Sequence, residues 1–171
     1  MAQRRKAKNI TFNCGDYYLA KLEALESATR DQVIGPAVYA GAAVVTDEVR
    51  AQLAKVPTDD RYGTLDEPAK GPRPAVVAAL QADLGIAKLQ DDGHGFINVK
   101  IGWDGYSKTR TKKYPQGQPL PMLAASVCRG TSFMQGHDFV KKAVNKARRA
   151  AVEAMGKAVD EAVAEIMEKK G

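Results

Sequence analysis

The chain has 171 residues, of which 44% are hydrophobic and 27% charged, and it carries a formal net charge of +6. This length suits one domain with a substantial core, and the composition excludes a disordered or fibrous chain. Two cysteines provide neither a disulfide framework nor a metal-ligand spacing, and no apolar run is long enough to span a membrane. We therefore expect a protein that is made in a reducing cytoplasm and has no metal, cofactor or membrane anchor.

The beginning of the chain is basic. Residues 1–15 are predicted to form an N-terminal arm, and residues 16–171 to form one α+β domain. The basic residues of the arm are Arg4, Arg5, Lys6 and Lys8. After it, Asp16 is expected to cap a helix whose leucines recur three residues apart as far as Leu25.

A second helix is predicted over residues 36–55, because apolar residues recur about four apart and Pro57 ends the pattern. Its apolar stripe consists of Val38, Ala42, Val45, Val49 and Leu53. The segment 57–73 has prolines and glycines among charges, which predicts a long loop. Loops of this length in a compact domain are usually functional or disordered.

A short helix and a hairpin are predicted next. Pro74 suits the first position of a helix that runs to Leu84. The hairpin pairs residues 86–89 with 96–103 across the turn 91–95, where aspartate and glycine supply strong turn chemistry. The second strand alternates polar residues with an apolar set, which predicts one buried face. That apolar set is Ile97, Val99, Ile101 and Trp103.

The last third is predicted to contain a basic loop over 104–119 and a short helix over 121–129. Gly130 is able to supply a left-handed residue after that helix. Asp138 is expected to cap a final helix over 139–169, about 45 Å long. The apolar stripe of this helix is Val140, Val144, Ala147, Ala151, Met155, Ala158, Ala162 and Ile166.

Charge is unevenly distributed along the final helix, since its first half is basic and its second half largely acidic. This polarity opposes the helix dipole, which favours acids early and bases late. Three explanations stay open: an acidic partner beside the basic half, an oblique packing that exposes it, or tolerance of the cost. The bases are Lys141, Lys142, Lys146, Arg148 and Arg149, and the acids are Glu153, Asp160, Glu161, Glu165 and Glu168.

Motifs for catalysis are nearly absent from the sequence. His94 and His137 lack cysteines or carboxylates at metal-ligand spacing, and neither a phosphate-binding loop nor a nucleophile elbow occurs. The pair Asp91-Asp92 has acid–base chemistry, but its position favours ordinary turn chemistry. We expect no enzymatic activity and no catalytic, cofactor-binding or metal-binding residue.

The basic loop admits two interpretations. Its cations lie near Tyr106 and Tyr114, so the loop has the chemistry to hold phosphates and stack bases. No recognised nucleic-acid motif surrounds it, and it is equally suited to docking on an acidic protein surface. A solvated face is the third interpretation. The cations are Lys108, Arg110, Lys112 and Lys113.

Three short motifs lie between the predicted elements. Arg61-Tyr62-Gly63-Thr64-Leu65 lies in the first long loop. Val127-Cys128-Arg129-Gly130-Thr131-Ser132-Phe133-Met134 covers the end of the short helix and the residues after it. His137-Asp138-Phe139-Val140-Lys141-Lys142-Ala143 opens the last helix. Their order resembles that of the tail-component family of long-tailed phages, over about residues 17–165. The family usually has threonine at the place of Tyr62 and an acid–aromatic pair at the place of Cys128-Arg129.

The resemblance implies a structural virion protein of the head–tail junction, made in the host cytoplasm. It implies a ring, expected to be hexameric, that joins head connector or adaptor proteins to the tail tube or tail-terminator protein, with possible contact to packaged DNA. A tail-terminator or minor tail protein and an unrelated basic DNA-associated protein are the alternatives. The interface candidates are Arg61, Tyr62, Gly63, Thr64, Lys108, Arg110, Lys112, Lys113, Arg129, Lys141, Lys142, Arg148 and Arg149. Gly130, Thr131 and Phe139 are expected to define the fold.

The predicted fold class is α+β. Helices are expected to pack on a small antiparallel β-sheet, with long loops and a long C-terminal α-helix.

Overall fold

The computed structural model describes residues 29–91 and 97–169. The predicted basic arm, the helix after Asp16 and most of the hairpin turn lie outside these ranges. The predicted α+β class is confirmed, although the strands form two two-stranded sheets in place of one. The elements are α1 (Gly35–Leu53), α2 (Pro74–Ala82), β1 (Leu84–Ile86), β2 (Gln90–Asp91), β3 (Ile97–Asn98), β4 (Ile101–Trp103), α3 (Leu120–Arg129) and α4 (Phe139–Glu168), with a π-helical turn, Thr29–Ile34, before α1.

Helices α1 and α4 pack along each other and form the most extensive contact between two elements. The two helices are in close contact at Gly41, where a Cβ atom would lie 2.6 Å from Met155 Cγ. On α4 the buried face is built from alanines four residues apart, which allow a close i±4 ridge packing. These are Ala143, Ala147 and Ala151. At the edge of the pair Lys146 Nζ lies 2.9 Å from the Glu48 carboxylate.

The stripe predicted for α1 is partly confirmed. Ala42, Val49 and Leu53 are buried, whereas Val38 and Val45 are only half-buried. Close helix packing selects small side chains, which a search for large apolar residues does not find. The additional buried residues of α1 are Gly35, Ala37, Gly41 and Thr46.

Helix α4 has the predicted length, but two details of its beginning differ from expectation. Val144, which the predicted stripe included, is 44% exposed because the buried face begins instead at Phe139. The predicted cap by Asp138 is wrong, since its side chain makes no capping hydrogen bond. The Asp138 backbone (φ −75°, ψ 60°) does not have the extended geometry from which a cap reaches the first turn. The Phe139 amide donates instead to the His137 carbonyl (2.7 Å).

The predicted hairpin is present but interrupted. In β1–β4, Ile86 faces Ile101, and in β2–β3, Gln90 faces Asn98. Three residues separate these positions on the first arm and two on the second, so the first arm carries one extra residue, as in a β-bulge. Leu84 was expected to end the preceding helix, and this is wrong. Helix α2 ends at Ala82, and Leu84 begins β1.

Phe139 and Trp103 join the long helix to the hairpin. Their ring centroids lie 6.0 Å apart at an interplanar angle of 76°, an edge-to-face contact. Trp103 Nε1 donates to the Leu80 carbonyl (2.7 Å), and Arg50 Nη2 donates to the Leu84 carbonyl (3.0 Å). The predicted anchoring of Phe139 to the sheet is therefore present. The surrounding core consists of Val49, Leu53, Val56, Val77, Leu80, Leu84, Leu120, Ala124, Val127 and Ala143.

Candidate functional site

The long loop 57–73 is folded onto the connector 131–137 by main-chain hydrogen bonds. The Ala69 amide donates to the Phe133 carbonyl (2.9 Å), and the Gln135 amide donates to the Ala69 carbonyl (2.9 Å). The segments thereby form a short parallel bridge. The first two motifs, more than sixty residues apart in the sequence, lie in two segments joined in this way.

Two glycines allow the backbones of this region to touch. A Cβ atom at Gly63 would lie 1.9 Å from the Phe133 carbonyl oxygen, and one at Gly71 would lie 1.7 Å from the Pro57 carbonyl oxygen. Neither position has room for a side chain. Gly63, an interface candidate from the sequence, therefore holds the loop against the connector.

The carboxylate of Asp59 organises the loop from within. This side chain is 10% exposed and accepts hydrogen bonds from the amides of Arg61 (3.0 Å) and Lys70 (3.1 Å). It also accepts from Arg61 Nε (3.3 Å) and Nη2 (3.2 Å), while Arg61 Nη1 reaches Glu67 (3.2 Å). The hydrogen bonds from Arg61, followed by that from Lys70, lower the pKa of Asp59 from 3.8 to about 2. The same carboxylates raise the pKa of Arg61.

Thr64 also serves the loop itself. Its amide donates to the Glu67 carbonyl (3.0 Å), and its Oγ1 accepts from the Glu67 amide (3.0 Å). Arg61 and Thr64 therefore direct their hydrogen bonds into the loop. Tyr62 differs, because its side chain is 83% exposed.

An apolar cavity of about 320 Å³ opens beside the exposed rings of Tyr62 and Phe133. Phe133 is 54% exposed, and the Arg73 guanidinium lies 3.9 Å from the centroid of the Tyr62 ring, a cation–π contact. We call these two rings and the cavity the aromatic site. An apolar side chain from a partner fits its chemistry. The apolar side chains that line the cavity are Ala69, Pro72, Val76, Leu123, Val127 and Met134.

Gly130 and Thr131 shape the connector beneath the aromatic site, as the sequence predicts. Gly130 has φ +78°, and a Cβ atom there would lie 2.7 Å from the Gly136 nitrogen. The Thr131 amide donates to the Met134 carbonyl (2.9 Å), and its Oγ1 accepts from the Phe133 amide (3.2 Å). These contacts turn the chain sharply after α3.

The loop 104–119 is closed at its neck and exposed at its tip. Tyr106 and Pro119 form an antiparallel bridge, and the amide of the buried Ser107 donates to the Gln118 carbonyl (2.8 Å). No hydrogen bond or ion pair joins this loop to residues 57–73 in the described part of the chain. Four exposed cations lie in it: Lys108, Arg110, Lys112 and Lys113.

The remaining candidates lie on or beside α4. Arg129 and Lys141 border a wide, shallow groove of about 940 Å³ between β4, α3 and α4. Cys128 lines the same groove, and burial raises the pKa of its thiol. The other three candidates, Lys142, Arg148 and Arg149, are exposed along the helix.

Sequence reasoning missed two residues of the aromatic site. Asp59 was overlooked although it lies two residues before Arg61, a spacing at which a carboxylate and a guanidinium can meet in a turn. Phe133 was quoted within a motif but was not chosen as a candidate. An aromatic residue in a short polar connector is the signal that would have found it.

No protein-family model matches the chain, and no curated protein and no solved structure matches it. The resemblance to phage tail components therefore stays a prediction. Over residues 29–91 and 97–169, no group of three His, Cys, Asp or Glu side chains is placed to hold a metal ion. In the same ranges, no helix combines the length and the apolar character needed to cross a membrane.

Replacement of Gly63 by alanine is expected to destabilise the fold by about 1–3 kcal/mol, because the new methyl group overlaps a backbone carbonyl. Gly85→Ala is the matched control, since a Cβ atom there meets nothing within 4 Å. Its effect should stay within about 0.5 kcal/mol. Urea unfolding followed by circular dichroism measures both, and equal effects would contradict the loop packing described here.

The stabilising effect of Asp59 should depend on pH. Because its pKa is lower in the folded chain than its usual value, the ionised carboxylate stabilises the fold above about pH 4, and this contribution disappears as the pH falls from about 4 to about 2. The free energies of unfolding of the wild type and Asp59→Asn should therefore converge over that interval. The exposed neighbour supplies the control variant, Asp60→Asn. If the difference in free energy of unfolding between the wild type and Asp59→Asn persisted unchanged to pH 2, the stabilising role of the ionised Asp59 carboxylate would be contradicted.

Proposed function

We propose that the chain is a structural subunit of the head–tail junction of a long-tailed phage, a tail-completion or neck protein. The observation that carries this proposal is the aromatic site. Two of the motifs that resemble phage tail components lie in the segments that form it, and their hydrogen bonds hold two aromatic rings beside an apolar cavity. In this proposal the protein resides in the virion.

The aromatic site has the composition of a protein-docking surface. Aromatic and arginine side chains dominate the energetics of protein interfaces when they border a desolvated pocket. The guanidinium of Arg73 lies over the ring of Tyr62. Phe133 lies on a connector whose path is fixed by main-chain hydrogen bonds. Because hydrogen bonds hold the backbone that carries these rings, this chain loses less conformational entropy when a partner binds.

A ring requires two different surfaces on each subunit, since neighbours in a ring meet head to tail. This chain offers the aromatic site as one surface and the exposed cations of loop 104–119 as another. The expected hexamer, and the placing of the ring between the head connector and the tail tube, rest on the resemblance.

Deletion of the coding sequence from its phage should leave filled heads and separate tails that fail to join, as seen by electron microscopy. The double variant Tyr62→Ala with Phe133→Ala should reproduce this defect in complementation. Loss of two contacts of about 2 kcal/mol each lowers partner affinity by a factor on the order of a thousand.

The matched control for this experiment is Tyr62→Phe with Phe133→Tyr, which keeps both rings and should restore joined particles. Circular dichroism of each purified variant separates loss of docking from loss of folding. Normal joining after deletion would overturn the proposed function. Normal joining with a folded alanine variant would overturn the role of the aromatic site alone.

A basic DNA-associated protein is the second candidate, and the geometry of loop 104–119 favours it. The bridge between Tyr106 and Pro119 closes the loop at its base. The loop carries four cations, and the ring of Tyr106 is 57% exposed. Positive charge with an adjacent aromatic ring is the chemistry of nucleic-acid backbone binding and base stacking.

If the chain binds DNA, its affinity for a duplex should weaken steeply with salt. The logarithm of the binding constant should fall with the logarithm of the salt concentration by a slope of about 0.9 for each phosphate contacted. Lys112→Ala with Lys113→Ala should reduce that slope by about 2. Fluorescence anisotropy with a labelled random duplex measures it, and Lys141→Ala with Lys142→Ala is the control with equal loss of charge. Absence of salt-dependent binding by the wild type would exclude this candidate.

A further inference from the structure

One exposed ridge of helix α4 begins at Arg148, near the middle of the helix, and continues to Glu168. The ridge consists of residues four apart, and every one of them is exposed. At its middle, Val152 is 64% exposed, and a Cβ atom at Gly156 would meet nothing within 4 Å. The centre of the ridge is therefore uncharged and low enough for another helix to approach. The residues of this ridge are Arg148, Val152, Gly156, Asp160, Ala164 and Glu168.

The two ends of the ridge carry opposite charges. Arg148 and Arg149 are exposed on the basic side and take part in no ion pair within residues 29–91 and 97–169. On the acidic side Asp160 likewise has no ion pair in those ranges, and Glu161 has only a loose local contact with Lys157 at 3.7 Å. Of the five cations in the first half of α4, Lys146 is bound to α1 through Glu48. Cations thus precede and carboxylates follow the uncharged centre formed by Val152 and Gly156. The adjacent exposed ridge, which carries Arg149 and Glu161, has two charges of opposite sign beside that centre, Glu153 and Lys157.

We propose that α4 pairs with the α4 of a second copy of the chain, antiparallel and ridge to ridge. A two-fold axis between residues 154 and 155 places Arg148 opposite Glu161 of the second copy and Arg149 opposite Asp160. At 1.5 Å per residue these charges lie about 9 Å from the axis on either side. A two-fold contact repeats each pair, so four cations meet four carboxylates around two copies of Val152.

Charge selects a second copy as the occupant. A nucleic acid would be repelled by the acidic half of the ridge, and a uniformly acidic protein would be too. A second α4 supplies both signs in the required order. Antiparallel pairing also sets the basic half of each helix beside the acidic half of the other, which offsets the unfavourable interaction of both halves with their own helix dipole. This pairing does not rest on the proposed function, and it leaves the aromatic site and loop 104–119 free.

Light scattering coupled to size-exclusion chromatography of the full chain tests the pairing. In the absence of the other head–tail junction proteins, the wild type at low salt should have the mass of two chains. Dilution or about 1 M salt should shift the mass to one chain, because exposed charges are screened within about 3 Å at that ionic strength. A wild type that stays a single chain in low salt at high concentration would overturn the proposal.

Two charge-reversed variants locate the contact. Arg148→Glu with Arg149→Glu, and separately Asp160→Arg with Glu161→Arg, should each weaken pairing at least tenfold, since like charges then face each other. An equimolar mixture of the two variants should regain the two-chain mass, because every facing pair is again opposite in sign. Restoration by mixing would not follow from misfolding of either variant.

The control is Lys108→Glu with Arg110→Glu, which makes the same change of charge on loop 104–119 and should pair as the wild type does. Circular dichroism checks that all variants keep their helix content. Folded variants that pair like the wild type, a mixture that stays unpaired, or a control that abolishes pairing would each contradict this contact.

Discussion

The edge contact between Phe139 and Trp103 joins the start of the longest helix to the end of the hairpin, and the other elements take their positions from this joint. Trp103 is bonded to the end of α2 through the Leu80 carbonyl. From Phe139 onward, alanines spaced by four residues bring α4 against α1. The connector that receives the long loop ends at His137, two residues before Phe139, so the packing of Phe139 also helps to position the aromatic site.

Much of the helical framework could be predicted from the sequence, because apolar periodicity and prolines act locally. The bounds of α1 and α4 follow from such patterns to within about two residues. The failures at Asp138, Val144 and Leu84 have a common origin. Each residue has a local propensity that its surroundings override. The backbone of Asp138 enters α4 in a conformation from which its side chain does not cap the helix. Burial of Phe139 turns Val144 toward solvent, and pairing with β4 makes Leu84 a strand residue.

The candidate site was less predictable, for a physical reason. The bridge between loop 57–73 and the connector is made by main-chain groups, which every residue except proline possesses, so it leaves no side-chain pattern. The motifs pointed to Tyr62 and Gly63, but their convergence with Phe133 depends on the fold. The spacing of Asp59 from Arg61 allows their contact, but only the fold brings the Lys70 amide to the same carboxylate.

Because backbone atoms and glycines fix the path of the long loop, the framework and the recognition surface of this region are separable. The exposed side chains of Tyr62, Leu65 and Phe133 contribute little to the path of the loop, whereas Gly63 and Asp59 determine it. Substitutions at the three exposed positions can therefore change which partner is recognised while the free energy of folding stays nearly constant. Such a loop can acquire a new binding specificity without any rebuilding of the protein that carries it.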